Sequence, residues 1–250
     1  MSIAAKEKNV RVSHATRPYF MPAEGACALY SETDVTFIFY GGFSLYNKRR
    51  TIAEMHDAIV KSLQGARVLE VSRKSEHLIG ERLSAFNLIL ETADGMRYPV
   101  ENVFQSSKVF DKGGPYRDLL SVMPRDAKTD PRIKDASAQL LCFSFEGREW
   151  PLEPRSCFYD YIYIAALAQH KELADELQCY DVFTDIEFNP KKQFNCQARS
   201  VAIFISLCRC GLLNEYLRDP LSFAGKIYPN IANDSLRSGQ KFEGGQMELF

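Results

Sequence analysis

The sequence predicts an α+β fold: a predominantly helical single domain with short β-hairpins and a small N-terminal extension. Apolar residues recur at helical spacing over long stretches, from Pro154 to Leu177 and from Ala198 to Leu213. Short β-rich runs stop at turn residues, as in Val35 to Tyr40 before Gly41-Gly42. No linker rich in Pro, Gly or Ser divides the first 215 residues, and 46% hydrophobic residues suffice for one sizeable core.

Taken in order, residues 1–34 carry Pro18, show no clear periodicity at their start and read as a frayed lead-in. The folded unit is expected over 35–215. Its first strand is Val35 to Tyr40, followed by a helix from Thr51 to Leu63 with Thr51 as cap and by a short strand over Val68 to Val71. Phe86 to Leu90 and Arg97 to Val100 flank Ala93-Asp94-Gly95, a hairpin turn signal. Glu101 to Phe110 reads as a helix, and Pro115 to Val122 and Pro124 to Lys134 as short helical pieces opened by prolines. Leu140 to Phe145, Glu146-Gly147 and Arg148 to Trp150 form a second hairpin signal. The stretch from Pro154 to Leu177 breaks near His170, Val182 to Phe188 alternates like a strand, and Ala198 to Leu213 is a core helix. After Asp219-Pro220 the chain turns polar and glycine-bearing, so 216–250 is expected to be a mostly flexible tail.

Composition narrows the function classes. Lys and Arg number 31 against 32 Asp and Glu, so contact with a nucleic acid must come from local patches rather than from the field of the whole molecule. The seven cysteines are odd in number, scattered and set mostly in apolar runs, as expected of reduced, buried thiols. Neither they nor the isolated His14, His56, His77 and His170 have the spacing of a metal site, so no metal and no cofactor is expected. The longest apolar stretch, Val201 to Leu207, is too short to span a bilayer, and the start of the chain lacks an apolar signal core, so a cytoplasmic location is expected.

Three groups of residues carry chemistry. Glu101, Phe104, Gln105 and Lys108 fall at i, i+3, i+4 and i+7, one stripe of the expected helix, although this spacing equally describes a surface helix. Alternation sends Phe183, Asp185 and Glu187 to one face of the strand, which suits a ribose or a cationic centre but also a solvated edge. Asn195 precedes the last long helix, where its side chain can cap while free N–H groups face outward to hold a diphosphate or merely water.

Read together, these pieces resemble the NADAR family. Ser84-Ala85-Phe86, Asp94-Gly95, then Tyr98-Pro99-x-Glu101-Asn102-x-Phe104-Gln105-x-x-Lys108-x-Phe110 resembles that family's Ser-Asn-Phe opening, Asp-Gly hairpin and Glu-His-Tyr-Tyr-Gln-x-x-Lys-Phe segment. Ala127-Lys128 with Arg132, Gln169-His170-x-Glu172-Leu173, Phe183-Thr184-Asp185 and Asn195 follow in the family's order. The resemblance spans 35–215. The chain departs from it at Ala85, Asn102, Phe183 and Cys196-Gln197, and its longer N-terminal frame is similar to the branch associated with DarT-type toxins as antitoxin.

The resemblance implies an N-glycosidase that removes ADP-ribose from guanine in DNA. Alternatives are the same reaction on a phosphoribosyl pyrimidine of the riboflavin pathway and an inactive ADP-ribose reader. It implies Glu101 and then Asp185 as the carboxylates at the reacting carbon and Lys108 as nucleophile. Ser84, Phe86, Phe104, Gln105, Phe183, Glu187 and Asn195 would hold the substrate, with Phe183 stacked on a ring. Lys48, Arg49 and Arg50, with Lys191 and Lys192, are the basic clusters offered to ADP-ribosylated DNA. Finally, Gln246, Met247, Leu249 and Phe250 resemble the peptide by which bacterial repair proteins dock on the sliding clamp.

Overall fold

A computed structural model describes residues 11–23 and 28–228 of the chain. The order of elements starts with a ribbon of two long strands, β1 (Val12–Pro22) and β2 (Tyr30–Tyr40), paired antiparallel along their whole length from Val12↔Tyr40 to Pro22↔Tyr30. Helix α1 (Leu45–Ser62) follows, then β3 (Val68–Glu70) and α2 (Leu78–Arg82). The hairpin β4 (Ile89–Glu91) and β5 (Arg97–Pro99) leads into α3 (Val100–Ser106) and β6 (Lys108–Phe110). Next come α4 (Pro124–Thr129), β7 (Leu140–Phe145), β8 (Arg148–Trp150), α5 (Cys157–Ala168) and α6 (Lys171–Leu177). Strand β9 (Val182–Thr184), α7 (Gln197–Arg209), α8 (Leu213–Arg218) and α9 (Ala224–Ile227) complete the described residues.

Among the described residues the strands form three small sheets, in the orders β2-β1-β9-β3, β4-β5 and β6-β7-β8. In the first, β9 lies parallel to β3, with Glu70 beside Thr184, and antiparallel to β1 at Phe20↔Phe183. Helices α5 and α7 run through the main core, and every residue from Val201 to Leu207 is buried. A smaller core seals α1 on the first sheet through Tyr19, Phe37, Ile52, Met55, Ile59, Val182 and Ile186. Complete burial of side chains such as Met55 and Ile59 contributes about 1.5–3 kcal/mol each.

The mixed α+β class and both hairpins are as expected: Gly95 (φ 77°) turns one, and Glu146 (φ 49°) with Gly147 (φ 76°) turns the other. The break at His170 is also present, where it precedes α6. Four expectations are corrected. The supposed lead-in contains β1: its first half is exposed and so lacks an apolar pattern, and Pro18 stands two residues before the single position that pairs with β9. Helix α1 starts at Leu45, capped by Ser44 Oγ accepting from Asn47 N at 3.2 Å. Thr51 lies inside it, donating to Asn47 O and accepting from Tyr40 N. The expected tail is structured over residues 216–228, because Tyr216, Phe223 and Ile227 fill the main core. Lastly, Cys179 and Cys210 are exposed, whereas Cys157 and Cys196 are buried, and the six described cysteines are free. The clamp-like residues Gln246, Met247, Leu249 and Phe250 lie outside the described residues.

Candidate active site

The site is assembled where the turn before β4 meets the start of α3. Val100 N donates to Leu88 O and Glu101 N to Ala85 O, so two otherwise unpaired N–H groups of the helix start tie α3 to the 84–88 turn. This brings Ser84, Ala85 and Phe86 against Glu101. From the other side, β9 ends at Thr184 and the chain turns over Asp185 to Phe188, whose N–H bonds back to Asp185 O. Between them lies a narrow cleft of about 60 Å³, lined among others by Ser84, Phe86, Glu101, Phe104, Lys128 and Tyr159 on one side and Asp185, Glu187, Asn195 and Gln197 on the other.

Both carboxylates are nearly dry and both are oriented. Glu101 is 5% exposed, and Gln105 Nε2 donates to its Oε1 at 2.8 Å. Asp185 is 6% exposed, accepting from Glu187 N at 3.0 Å and from Gln197 Nε2 at 3.1 Å. Burial pushes the Asp185 carboxyl up to about 6, with the Gln197 hydrogen bond opposing and the Glu187 charge assisting. The same Gln197 accepts from Ala85 N through Oε1 at 2.6 Å, so one carboxamide joins the two walls of the cleft. Sequence reasoning noted Gln197 only as a departure from the family pattern; no signal in the sequence shows its two partners.

Lys108 does not continue the helix stripe. Helix α3 ends at Ser106, and Lys108 opens β6, paired with Phe143. It is 1% exposed, its ammonium 4.9 Å from the centre of the Phe104 ring, and it is not among the residues lining the cleft. Burial lowers its pKa from 10.5 to about 7, the Glu101 charge opposing, so near neutrality a large share of this amine is free base.

Phe104 meets Tyr159 edge to face at 5.3 Å, while Phe86 at the rim has the Arg73 guanidinium at 4.1 Å and the Lys128 ammonium at 5.1 Å from its ring centre. Phe183 is fully buried in the main core beside Phe20 on β1, so its ring faces no open space and cannot stack on a ligand. Asn195 borders the cleft but does not cap α7; Cys196 occupies that position. Asn102 donates to Leu119 O and Val122 O and so anchors a neighbouring turn. Lys48 and Arg50 lie on α1, outside the cleft lining, with Arg50 stacked 3.8 Å over Tyr40. Tyr159 and Arg73 were missed because nothing local in the sequence separates them from ordinary core and surface residues.

Beneath Asp185 sits a second acid. Glu70 is 1% exposed and accepts from Ser72 Oγ at 2.6 Å, Thr184 Oγ1 at 2.7 Å and Ile186 N at 3.0 Å. Thr184 Oγ1 lies 2.9 Å from His56 Nε2, extending the chain of polar contacts to α1. Burial, and next the Asp185 charge, push Glu70 up to about 8.

Residues 15–236 match the DarT1-associated NADAR antitoxin family. The chain belongs to that family. The match reaches beyond the 35–215 span of the motifs at both ends, taking in most of β1 and all of α8 and α9. No curated protein is similar enough to be matched. Among the described residues of this NADAR antitoxin, no group of three or more His, Cys, Asp or Glu is placed to hold a metal ion, and no helix is long and apolar enough to cross a membrane.

Proposed function

We propose that this NADAR antitoxin hydrolyses the N-glycosidic bond between ADP-ribose and guanine in DNA, reversing the modification made by its cognate DarT-type toxin. The observation that carries the reading is the convergence of Glu101 and Asp185, from different elements, on one narrow cleft with aromatic walls and a lysine at its rim. Family membership supplies the link to the toxin.

Cleavage develops positive charge on the ribose, and a fixed carboxylate in a dry cleft stabilises it without reorganising. Glu101, clamped by Gln105, takes that role. Lys108 Nζ, reaching past the Phe104 ring, adds as free amine to C1 of the ring-opened ribose, which is still bonded to guanine as an iminium. The C1–N bond to guanine then breaks, guanine leaving with the bonding electron pair and a proton, and water hydrolyses the resulting Lys108 Schiff base to release ADP-ribose and return the amine. One water is consumed overall. Asp185 assists as carboxylate, and Lys128 with Arg73 faces the diphosphate at the rim.

The test is a time course of wild-type and Lys108→Ala protein on an ADP-ribosyl-guanine oligonucleotide, with borohydride present to trap a covalent adduct. Release of ADP-ribose and a trapped adduct with wild type alone are expected. No release from this DNA, but release of base from a phosphoribosyl pyrimidine, would transfer the activity to a metabolite; tight ADP-ribose binding without any turnover would make the chain a reader.

A further inference from the structure

The cleft of about 60 Å³ adjoins a larger cavity of about 220 Å³. Phe104, Tyr159 and Asn195 line both spaces, which therefore share a wall. The other walls of the larger cavity are apolar and largely aromatic. Phe143 and Phe158 stack with ring centres 4.7 Å apart, Leu152 and Pro154 come from the loop before α5, and Phe194 closes the space from the segment before α7. The Arg155 guanidinium lies 4.4 Å over the Phe194 ring and pairs with Glu153 at 3.0 Å, both charges more than half exposed.

One polar atom here lacks a partner. Ser156 stands at the capping position of α5, yet it makes no capping bond, and its buried Oγ has no hydrogen-bond partner. Its φ of 68° is left-handed, a conformation a serine holds only where its surroundings impose it. An apolar, aromatic-walled space with one spare hydroxyl is the chemistry that recognises a flat heterocycle.

We propose that this cavity receives the purine ring bonded to the ribose, a guanine turned out of the DNA strand, with Ser156 Oγ hydrogen-bonding to its edge. The proposal rests on the N-glycosidase reading above. The adenine of ADP-ribose is separated from the reacting carbon by a second ribose and a diphosphate, whereas the departing base is joined to it directly. Phe104 is one helical turn from Glu101, so a ring against it is within bonding reach of a sugar beside that carboxylate. Aromatic walls bind any base face, and extrusion from the stack is how enzymes reach a base for chemistry.

Two variants of the full chain test this. Ser156→Gly removes the hydroxyl while relaxing the positive φ, and Leu152→Trp fills the cavity. On the ADP-ribosyl-guanine oligonucleotide, KM is expected to rise about 3- to 10-fold for the first and about tenfold or more for the second, with inhibition by free ADP-ribose unchanged. Unchanged KM in both, or ADP-ribose inhibition weakened in parallel, overturns the proposal, the latter placing adenine in the cavity. If wild type releases no ADP-ribose, the N-glycosidase reading fails separately. Anisotropy of the labelled modified oligonucleotide then tests the cavity alone: weaker binding by both variants sustains it, and affinities equal to wild type overturn it.

Discussion

Replacing Lys108 by methionine tests the electrostatic basis of the proposed nucleophile, because it keeps an unbranched apolar stem of the same length to Cε and removes the amine. The folded pKa of about 7 against 10.5 is a difference of about 3.5, or up to about 5 kcal/mol at about 1.4 kcal/mol per pKa unit. The sign follows from proton counting. Between pH 7 and 10.5 the unfolded chain binds more protons at this group than the folded chain, so Lys108 makes wild type more stable as pH rises through that window. Below pH 7 the whole cost of burying the ammonium is present. Lys108→Met is therefore expected to be more stable than wild type at pH 6 by about 2–5 kcal/mol, an advantage that shrinks by up to about 1.4 kcal/mol per pH unit above 7, while turnover is lost. Urea unfolding of both proteins at pH 6 and pH 9 measures the difference, with other titrations cancelling between them. A wild type at least as stable as the variant at pH 6, with no change in the gap at pH 9, would refute the desolvated amine and leave the nucleophile without a physical basis.

Four further outcomes are expected. Glu101→Gln should lower turnover about 10²- to 10³-fold while calorimetry still detects ADP-ribose binding, and normal turnover would remove Glu101 from the chemistry. Gln197→Leu takes a hydrogen bond from Asp185, so the carboxyl should titrate above its present value of about 6 and the acid limb of the pH–rate profile should move upward; an unmoved limb would show that Gln197 only braces the walls. The stability that Glu70 contributes is present below 4.5 and lost as pH rises through about 8, so Glu70→Gln should gain on wild type in thermal melts from pH 5 to pH 9, and parallel curves would contradict it. In Gly80→Ala the new Cβ would lie 2.1 Å from Glu70 O and 2.3 Å from Ser75 Oγ, so the variant should melt well below wild type, which a matching melt would disprove.

Local patterns in the sequence determined the fold class, both hairpins and the break at His170. Each of these depends on residues near one another in the chain: a glycine that takes positive φ, an apolar period. The same patterns misplaced β1, because a ribbon exposed along half its length gives no apolar alternation, and extended the helix over Lys108, because a stripe at i+7 looks the same whether or not the chain leaves the helix after Ser106. Tertiary structure alone decided which side chains meet. Phe183 is interchangeable in sequence with a stacking residue, but pairing with β1 on one side and β3 on the other buries it. Gln197 touches Asp185 and Ala85, 112 positions from the latter, and Glu70 meets Thr184 across a parallel strand pair. Dryness, and with it the displaced pKa values of Lys108, Asp185 and Glu70, comes from chain packed around these groups from distant positions, which no short window of sequence encodes.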